Sequence, residues 1–448
     1  MKKIPLILFT LIYTVTVDAQ SIIDTYISKG LQNNEGLKQQ SFLLQSNIHA
    51  LREARSLFFP TITVSGSYSK ADGGRTIDLP LGDLLNPVYT SLNDLTGNQK
   101  FPMVENQSFL FAADNYYDAK VRIGLPILDA ELIYNRKIKN NAVSLQETEI
   151  KLFKRELVKE IKIAYYQFCQ ASKNYEIAAN NVSLNKENNR VNKSLFDNDV
   201  VNYSTVLRSE SEVSKAESSL FSASQTVDNS KAYFNFLLNK SFDSDIEIEE
   251  VEPKLFSPFQ DQASVSEREE IRKLDLLSAG QRYNQGLARS FVLPKVRTFL
   301  DLGSQGFDWK FNDKTRYYIF GVSFEWTFST GGKNIHRMRQ AQAGINALES
   351  QTNEVKNQLD LQRKTTFNSY KDALNNYHAI QTQLKSIERY YHDLEKQYKE
   401  GNALYVELLE AQTQYFNTCT GLNIAFYTVC IKLAEYERAI AGYNLNNN

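Results

Sequence analysis

The chain has 448 residues, and its 51 Lys and Arg against 52 Asp and Glu leave a formal net charge of −1. So even a balance excludes the basic surface of a nucleic-acid binder, and electrostatics names no partner. Aromatic residues make up 12% of the chain, with 25 Tyr and 26 Phe against only 9 Pro, which suits long helices and aromatic-rimmed strands better than a disordered linker.

Residues 1–19 read as a secretory signal peptide. Lys2 and Lys3 form its basic region, Ile4 to Val17 its apolar region, and Val17-Asp18-Ala19 a small-residue cleavage site before Gln20. No cysteine follows that site, so a lipid anchor is not expected. Beyond it, nothing approaches the run of about 20 apolar residues that a membrane helix needs. A membrane-bound form would therefore have to span as a β-barrel.

Residues 20–240 read as a first repeat. Short N-terminal helices lead to a strand at about 61–71, where Ile62, Val64 and Tyr68 alternate with Thr61, Thr63, Ser65, Ser67 and Ser69. A long loop, 72–115, rich in Gly, Pro, Asn and Asp, is expected outside the cell. A second strand follows at about 116–128, with Tyr117, Ala119, Val121, Ile123 and Leu125 opposite Asp118, Lys120, Arg122 and Gly124. The spacing of Ile150, Phe153, Leu157, Ile161, Ala164, Phe168, Ala171, Tyr175, Ala178 and Val182 predicts one side of a helical hairpin over 130–239, with its tip at 199–204.

A connector, 241–263, carries an acidic run and two prolines. Residues 264–448 read as a second repeat, with strands at about 295–308 and 315–328, a helical hairpin over 332–442 with its tip at 401–406, and a C-terminal tail. The two repeats match at an offset of about 202 positions: Phe196-Asp197-Asn198-Asp199 lies over Tyr398-Lys399-Glu400-Gly401, and Tyr175 over Tyr377. The predicted fold class is mainly α with a transmembrane β part, built as tandem β-hairpins and long coiled-coil hairpins.

Four strands cannot close, and open edges are not tolerated in hydrocarbon. Copies of the chain must join their sheets. Two copies give a barrel filled by side chains, whereas three give twelve strands and a lumen.

The tip repeats and strand-to-helix junctions resemble the TolC family of outer membrane efflux and secretion channels. That resemblance implies a homotrimer with a twelve-stranded barrel in outer membrane lipid and a twelve-helix periplasmic tunnel. It further implies an exit duct that opens when a periplasmic adaptor and an inner-membrane pump dock, with no cofactor, no metal and no enzymatic role. By position in the motif, Glu407 and Glu410 correspond to the carboxylates of the constriction. Their spacing of three puts both on one helix face, and carboxylates about 8 Å apart repel by roughly 2 kcal/mol at an effective dielectric near 20. The adaptor would touch Asp199, Val200, Val201, Asn202, Tyr203 and Ser204 in the first tip. In the second it would touch Gly401, Asn402, Ala403, Leu404 and Tyr405. The chain departs from the family where a locking arginine would stand, at Asn402 and Ala403, and its acidic partner corresponds to Thr205. Tyr398, with Tyr203 and Tyr405, is the candidate substitute in the closed state.

The rival reading is a periplasmic coiled-coil adaptor or scaffold, which leaves two β-hairpins with an apolar face unexplained. An enzyme is excluded by the lack of HExxH, P-loop or nucleophile-elbow motifs and by four scattered histidines, His49, His336, His378 and His392. Cys169, Cys419 and Cys430 read as small buried hydrophobes rather than a disulfide set.

Overall fold

The computed structural model describes residues 21–112, 114–249 and 268–445. The expected signal peptide and residues 250–263 of the connector lie outside them. The described residues divide into two compact units, one within 48–142 and 279–345 and the other within 21–47, 143–278 and 346–445.

The first unit is built on a four-stranded antiparallel sheet of β1 (Thr61–Ser69), β4 (Tyr116–Leu128), β5 (Lys295–Phe307) and β6 (Arg316–Glu325), in that order. The register aligns Val64, Val121, Leu302 and Tyr318 in one row and Ile62, Ile123, Leu300 and Phe320 in the next, so one face is apolar across all four strands. That face is bare. Val64 is 77% exposed and Phe320 67%, far beyond what a half-buried soluble sheet leaves in water. The opposite face aligns Thr63 with Arg122 and Asp301, and Ser65 with Lys120, Gly303 and Tyr317. Within this sheet β1 and β6 are edges.

Aromatic rings collect at both ends of the strands. At one end Tyr117 stacks on Trp309 at 5.4 Å and lies tilted against Phe311 at 4.7 Å, and Tyr68 stacks on Trp309 at 5.2 Å. At the other, Trp326 lies 4.5 Å from Phe328 and 6.3 Å from Phe324. Two such rims with an apolar band between them are the pattern of strands that cross a bilayer. The strand expected to reach 328 ends at Glu325. Trp326 leaves the ladder because its indole Nε1 donates to the Val292 carbonyl at 3.1 Å.

The segment read as a long loop, 72–115, carries secondary structure among its described residues. It holds a two-stranded sheet of β2 (Thr76–Leu79) and β3 (Gln107–Leu110) with the helix α3 (Leu81–Thr96) between them. Its Gly, Asn and Pro residues read as loop chemistry, but the asparagines are used to build the fold, as shown below.

The second unit holds α1 (Ile22–Asn33), α5 (Tyr203–Leu237) and α8 (Tyr405–Ala439), with most of α2 (Glu35–Ser56), α4 (Ala130–Asp197) and α7 (Lys333–Lys399) and the first part of α6 (Glu269–Arg289). Among the described residues no helix is long and apolar enough to cross a membrane. α1 is fastened by Tyr26 and Ile27, which enter a core with Leu157, Ile161, Tyr165, Phe234 and Leu238. The close approach needs Gly30, where a Cβ would stand 2.4 Å from Ile161 Cδ1. Tyr370, Ala373 and Tyr377 of α7 pack on Ala425 and Val429 of α8 along the predicted seam.

The tandem repeat is visible at the level of single hydrogen bonds. α5 and α8 both have 35 residues, and both start at a tyrosine, Tyr203 and Tyr405. α4 ends with Asp199 at φ 58°, its N–H donating to Phe196 O and that of Val200 to Leu195 O. α7 ends with Gly401 at φ 78°, the corresponding donors being Gly401 to Tyr398 O and Asn402 to Gln397 O. These are Schellman closures, which satisfy carbonyls that a helix end leaves unpaired. The far ends of α5 and α8 close in the same way, at Asn239 and Ala441.

Candidate functional site

The two turns, each opening a following helix, form the candidate site. Backbone chemistry sets them up identically: Thr205 N–H donates to Asn202 O at 2.9 Å, and its counterpart Glu407 N–H donates to Leu404 O at 3.1 Å. The tips lie slightly earlier than expected, since Tyr203 and Ser204 already belong to α5 and Tyr405 to α8.

Glu407 and Glu410 are both exposed on α8, while Leu408, Leu409 and Ala411 between and beside them are buried. Buried neighbours lock the helix rotation, so both carboxylates face away from the packed seam. In this conformation Glu407 Oε2 also accepts the Leu404 N–H at 2.8 Å, capping its own helix. Glu410 Oε1 accepts from Gln414 Nε2 at 3.5 Å.

The predicted tip residues separate into two kinds. Val200, Tyr203, Leu404 and Val406 are exposed apolar groups, an arrangement that invites a partner surface. Tyr405 and Tyr398 turn inward. Their rings lie 5.9 Å apart, and burial pushes the Tyr405 phenol up to about 12. The Tyr398 hydroxyl donates to Asn192 Oδ1 at 2.5 Å. Tyr203 packs on Phe196 instead, at 5.4 Å.

Asn192, which meets α7 through Tyr398, neighbours a polar feature that the sequence reading missed. Asn188 Nδ2 donates to Gln412 Oε1 at 2.6 Å, and Asn423 Nδ2 donates to Gln170 O at 2.9 Å and to Asn174 Oδ1 at 2.8 Å. A ladder of amides therefore joins α4 to α8. Its signal was available: Asn174, Asn181, Asn185, Asn188 and Asn192 follow one another at helical spacings of seven, four, three and four. A polar seam of this kind holds by geometry and concedes packing strength to an apolar one.

In the sheet unit, the polar face is paired internally. Arg122 donates to both oxygens of Asp301, at 2.7 and 2.6 Å. Lys120 and Tyr317 donate to Asp118 at 3.0 and 2.8 Å. Among the described residues no cluster of three or more His, Cys, Asp or Glu could hold a metal. A cleft of this unit, about 790 Å³, is lined by residues that include Glu131, Lys295, Glu325 and Arg337. Its Glu131 and Lys295 are paired at 2.6 Å.

Residues 262–425 match the family described as outer membrane efflux protein. No curated protein matches the chain. Among solved structures, the fold is similar to the outer-membrane channel OprN, with 16% identity, 94% of this chain and 90% of that one covered and a TM-score of 0.73. The CmeC outer membrane channel of Campylobacter jejuni gives 14% identity, coverages of 94% and 86% and a TM-score of 0.74. The outer membrane protein VceC of Vibrio cholerae gives 14%, coverages of 93% and 95% and a TM-score of 0.73. The resemblance drawn from the tips thus extends to the fold of nearly the whole chain.

Proposed function

We propose that this chain is an outer membrane exit duct, completed by three copies; the match of residues 262–425 to the outer membrane efflux protein family supports that reading. The observation that carries this is the sheet: an exposed apolar face, two aromatic rims, a charge-paired opposite face and two open edges. Hydrocarbon would charge several kcal/mol for each unpaired backbone group along β1 and β6. Pairing β1 of one copy with β6 of the next removes both edges. Twelve strands tilted by about 40° at about 4.8 Å spacing close a barrel about 24 Å across between backbones, wide enough for a lumen.

The helices would then form the periplasmic passage, with Glu407 and Glu410 as stacked carboxylate rings near its narrow end. Glu407 has a second task, holding the start of α8, so ring and turn are mechanically linked through one side chain. The exposed Val200, Leu404 and Val406 are the surface offered to a periplasmic adaptor, and the duct would serve an inner-membrane pump or secretion system through it. Tyr398 on Asn192, with the amide ladder behind it, supplies the closed-state contacts in place of the missing arginine; Thr205 contributes only the backbone of its turn. A coiled-coil scaffold would have no use for a sheet that exposes Val64 and Phe320.

Planar-bilayer conductance tests the assignment. The wild-type trimer should prefer cations and be blocked by divalent ions, and Glu407→Ala with Glu410→Ala should remove most of both properties. Unchanged selectivity and block would refute the gate. Sedimentation tests the duct itself, since a folded single copy dissolved without detergent would refute the barrel.

A further inference from the structure

The insert between β1 and β4 is a built scaffold that presents one helix face. Asn86 and Asn93, seven apart on α3, each clamp the returning chain with paired amide bonds. Asn86 Oδ1 accepts the Val104 N–H at 2.8 Å and Asn86 Nδ2 donates to the Val104 carbonyl at 3.0 Å; Asn93 bonds Phe101 in the same way, at 3.0 and 2.9 Å. Asn106 Oδ1 accepts the N–H groups of Gly82 and Asp83 at the start of the helix, at 2.9 and 3.2 Å. A Cβ on Gly82 would lie 2.5 Å from Val104 O, so the chain comes too close there for any side chain.

The face opposite the asparagines carries Leu81, Val88 and Leu95 at seven-residue spacing, with Leu84 between the first two. All four are exposed, Leu84 at 70% and Leu95 at 84%. Heptad spacing is the pattern by which identical helices pack on one another. A membrane surface is a poorer occupant. Helices that lie on lipid carry Lys and Arg on their polar face, whereas α3 has none and bears Asp83 and Asp94.

The insert is rooted where a second copy must come. It leaves the sheet at Ser69, the end of edge strand β1, and returns at Tyr116, with which Ser69 is paired. In the trimer of the proposed duct, on which this inference rests, β1 lies against a neighbouring copy and the three inserts rise from one rim. α3, with 16 residues, is about 24 Å long. It can therefore reach the axis of an opening about 24 Å across.

We propose that the three α3 helices meet through Leu81, Leu84, Val88 and Leu95 and cap the outer mouth of the duct. The passage then has a barrier at its exit as well as at its helical tips.

The test is cross-linking of the full-length protein in lipid nanodiscs, with its mass measured on the same sample. In a trimer, Val88→Cys under mild oxidant should convert about two-thirds of the subunits to covalent dimers, one disulfide per threefold contact. Thr90→Cys, on another face of α3, should stay near the background set by the native cysteines. Leu84→Asp with Val88→Asp should raise single-channel conductance at least twofold. An intact trimer that gives no dimers at position 88, or equal dimers at position 90, overturns the cap, as does unchanged conductance. Quenching of a fluorophore placed at position 88 by quenchers within the bilayer also overturns it, because α3 would then lie in lipid. A monomer by mass overturns the duct together with the cap.

Discussion

The two repeats agree in backbone and disagree in side chains. α5 and α8 have the same length, the same closures at both ends and the same first-turn bond at Thr205 and Glu407. Yet near the end of α5, Asn235 donates to the carbonyls of Phe242 and Ser244 at 3.0 and 2.8 Å. The corresponding Glu437 of α8 takes an ion pair from Lys162 at 2.6 Å. The strand connections diverge further, since residues 70–115 form a folded insert where 308–315 make a short turn. What a helical hairpin needs from its backbone is kept in both copies, and what differs is where each copy meets something else.

The largest expected effect asks whether both repeats turn the same face to lipid. Val64→Arg in β1 and Phe320→Arg in β6 should each destabilise the inserted barrel by about 2–4 kcal/mol, read as loss of trimer from outer membranes. Ser67→Lys, on the polar face beside Asp118, should be tolerated. Equal sensitivity at Ser67 would break the assignment of faces.

A smaller effect separates the bases of the two hairpins. The second is tied by ions: Arg268, buried, donates to Glu270 at 2.6 Å and to Ala439 O at 2.7 Å. Arg438 meets Glu270 at 3.0 Å, and Arg155 meets Glu269 at 2.7 Å. Arg268→Ala should cost about 3 kcal/mol, since it removes one partner of a buried pair, against about 1–2 kcal/mol for Asn235→Ala. Hydrogen exchange should show the loss at the end of α8 in the first variant and at the end of α5 in the second. Burial works against ionising Glu270, yet Arg268 and Arg438 hold it below the ordinary glutamate value of 4.5. Its contribution is therefore full above about pH 4.5 and is lost as pH falls through its lowered native value. Acid should loosen α8 before α5, and Glu270→Gln should abolish that difference.

Much of this was legible in the chain. Period-two alternation placed β1 and β4 because the two faces of the sheet carry opposite chemistries on successive residues, and the tips announced themselves through repetition. The insert was not legible: its Asn, Gly and Pro content is that of a loop, and only the structure shows Asn86 and Asn93 replacing a missing strand partner. The amide ladder was passed over for a related reason, since a search for apolar seams skips Asn181 and Asn188 even where they occupy the seam. Glu407 was read from its place after the tip as a pore group, and the spacing did not reveal its bond to Leu404.

The turns themselves come next. Gly401 takes φ 78° without strain, whereas Asp199 holds φ 58° with a side chain. Nothing lies within 4 Å of a Cβ on Gly401, so Gly401→Ala isolates the backbone term and should cost about 1–2 kcal/mol. Asp199→Gly should change stability by less than about 1 kcal/mol, because aspartate already tolerates this region. The measurement is exchange at the last turns of α7 and α4, and equal losses would show that space, not conformation, separates the tips.

The smallest effect bears on the single bond that distinguishes the two helix starts. α8 opens with Glu407 accepting the Leu404 N–H, and α5 opens with Thr205, too short to reach back to Asn202 in that way. Glu407→Ala should loosen the first turn of α8 by about 0.5–1 kcal/mol, and Thr205→Glu should tighten α5 by about half that. If Glu407→Gln keeps the turn while changing ion selectivity, the cap and the pore charge are separable roles of one residue. If the turn frays with the charge removed, helix dipole and carboxylate act together at the start of α8.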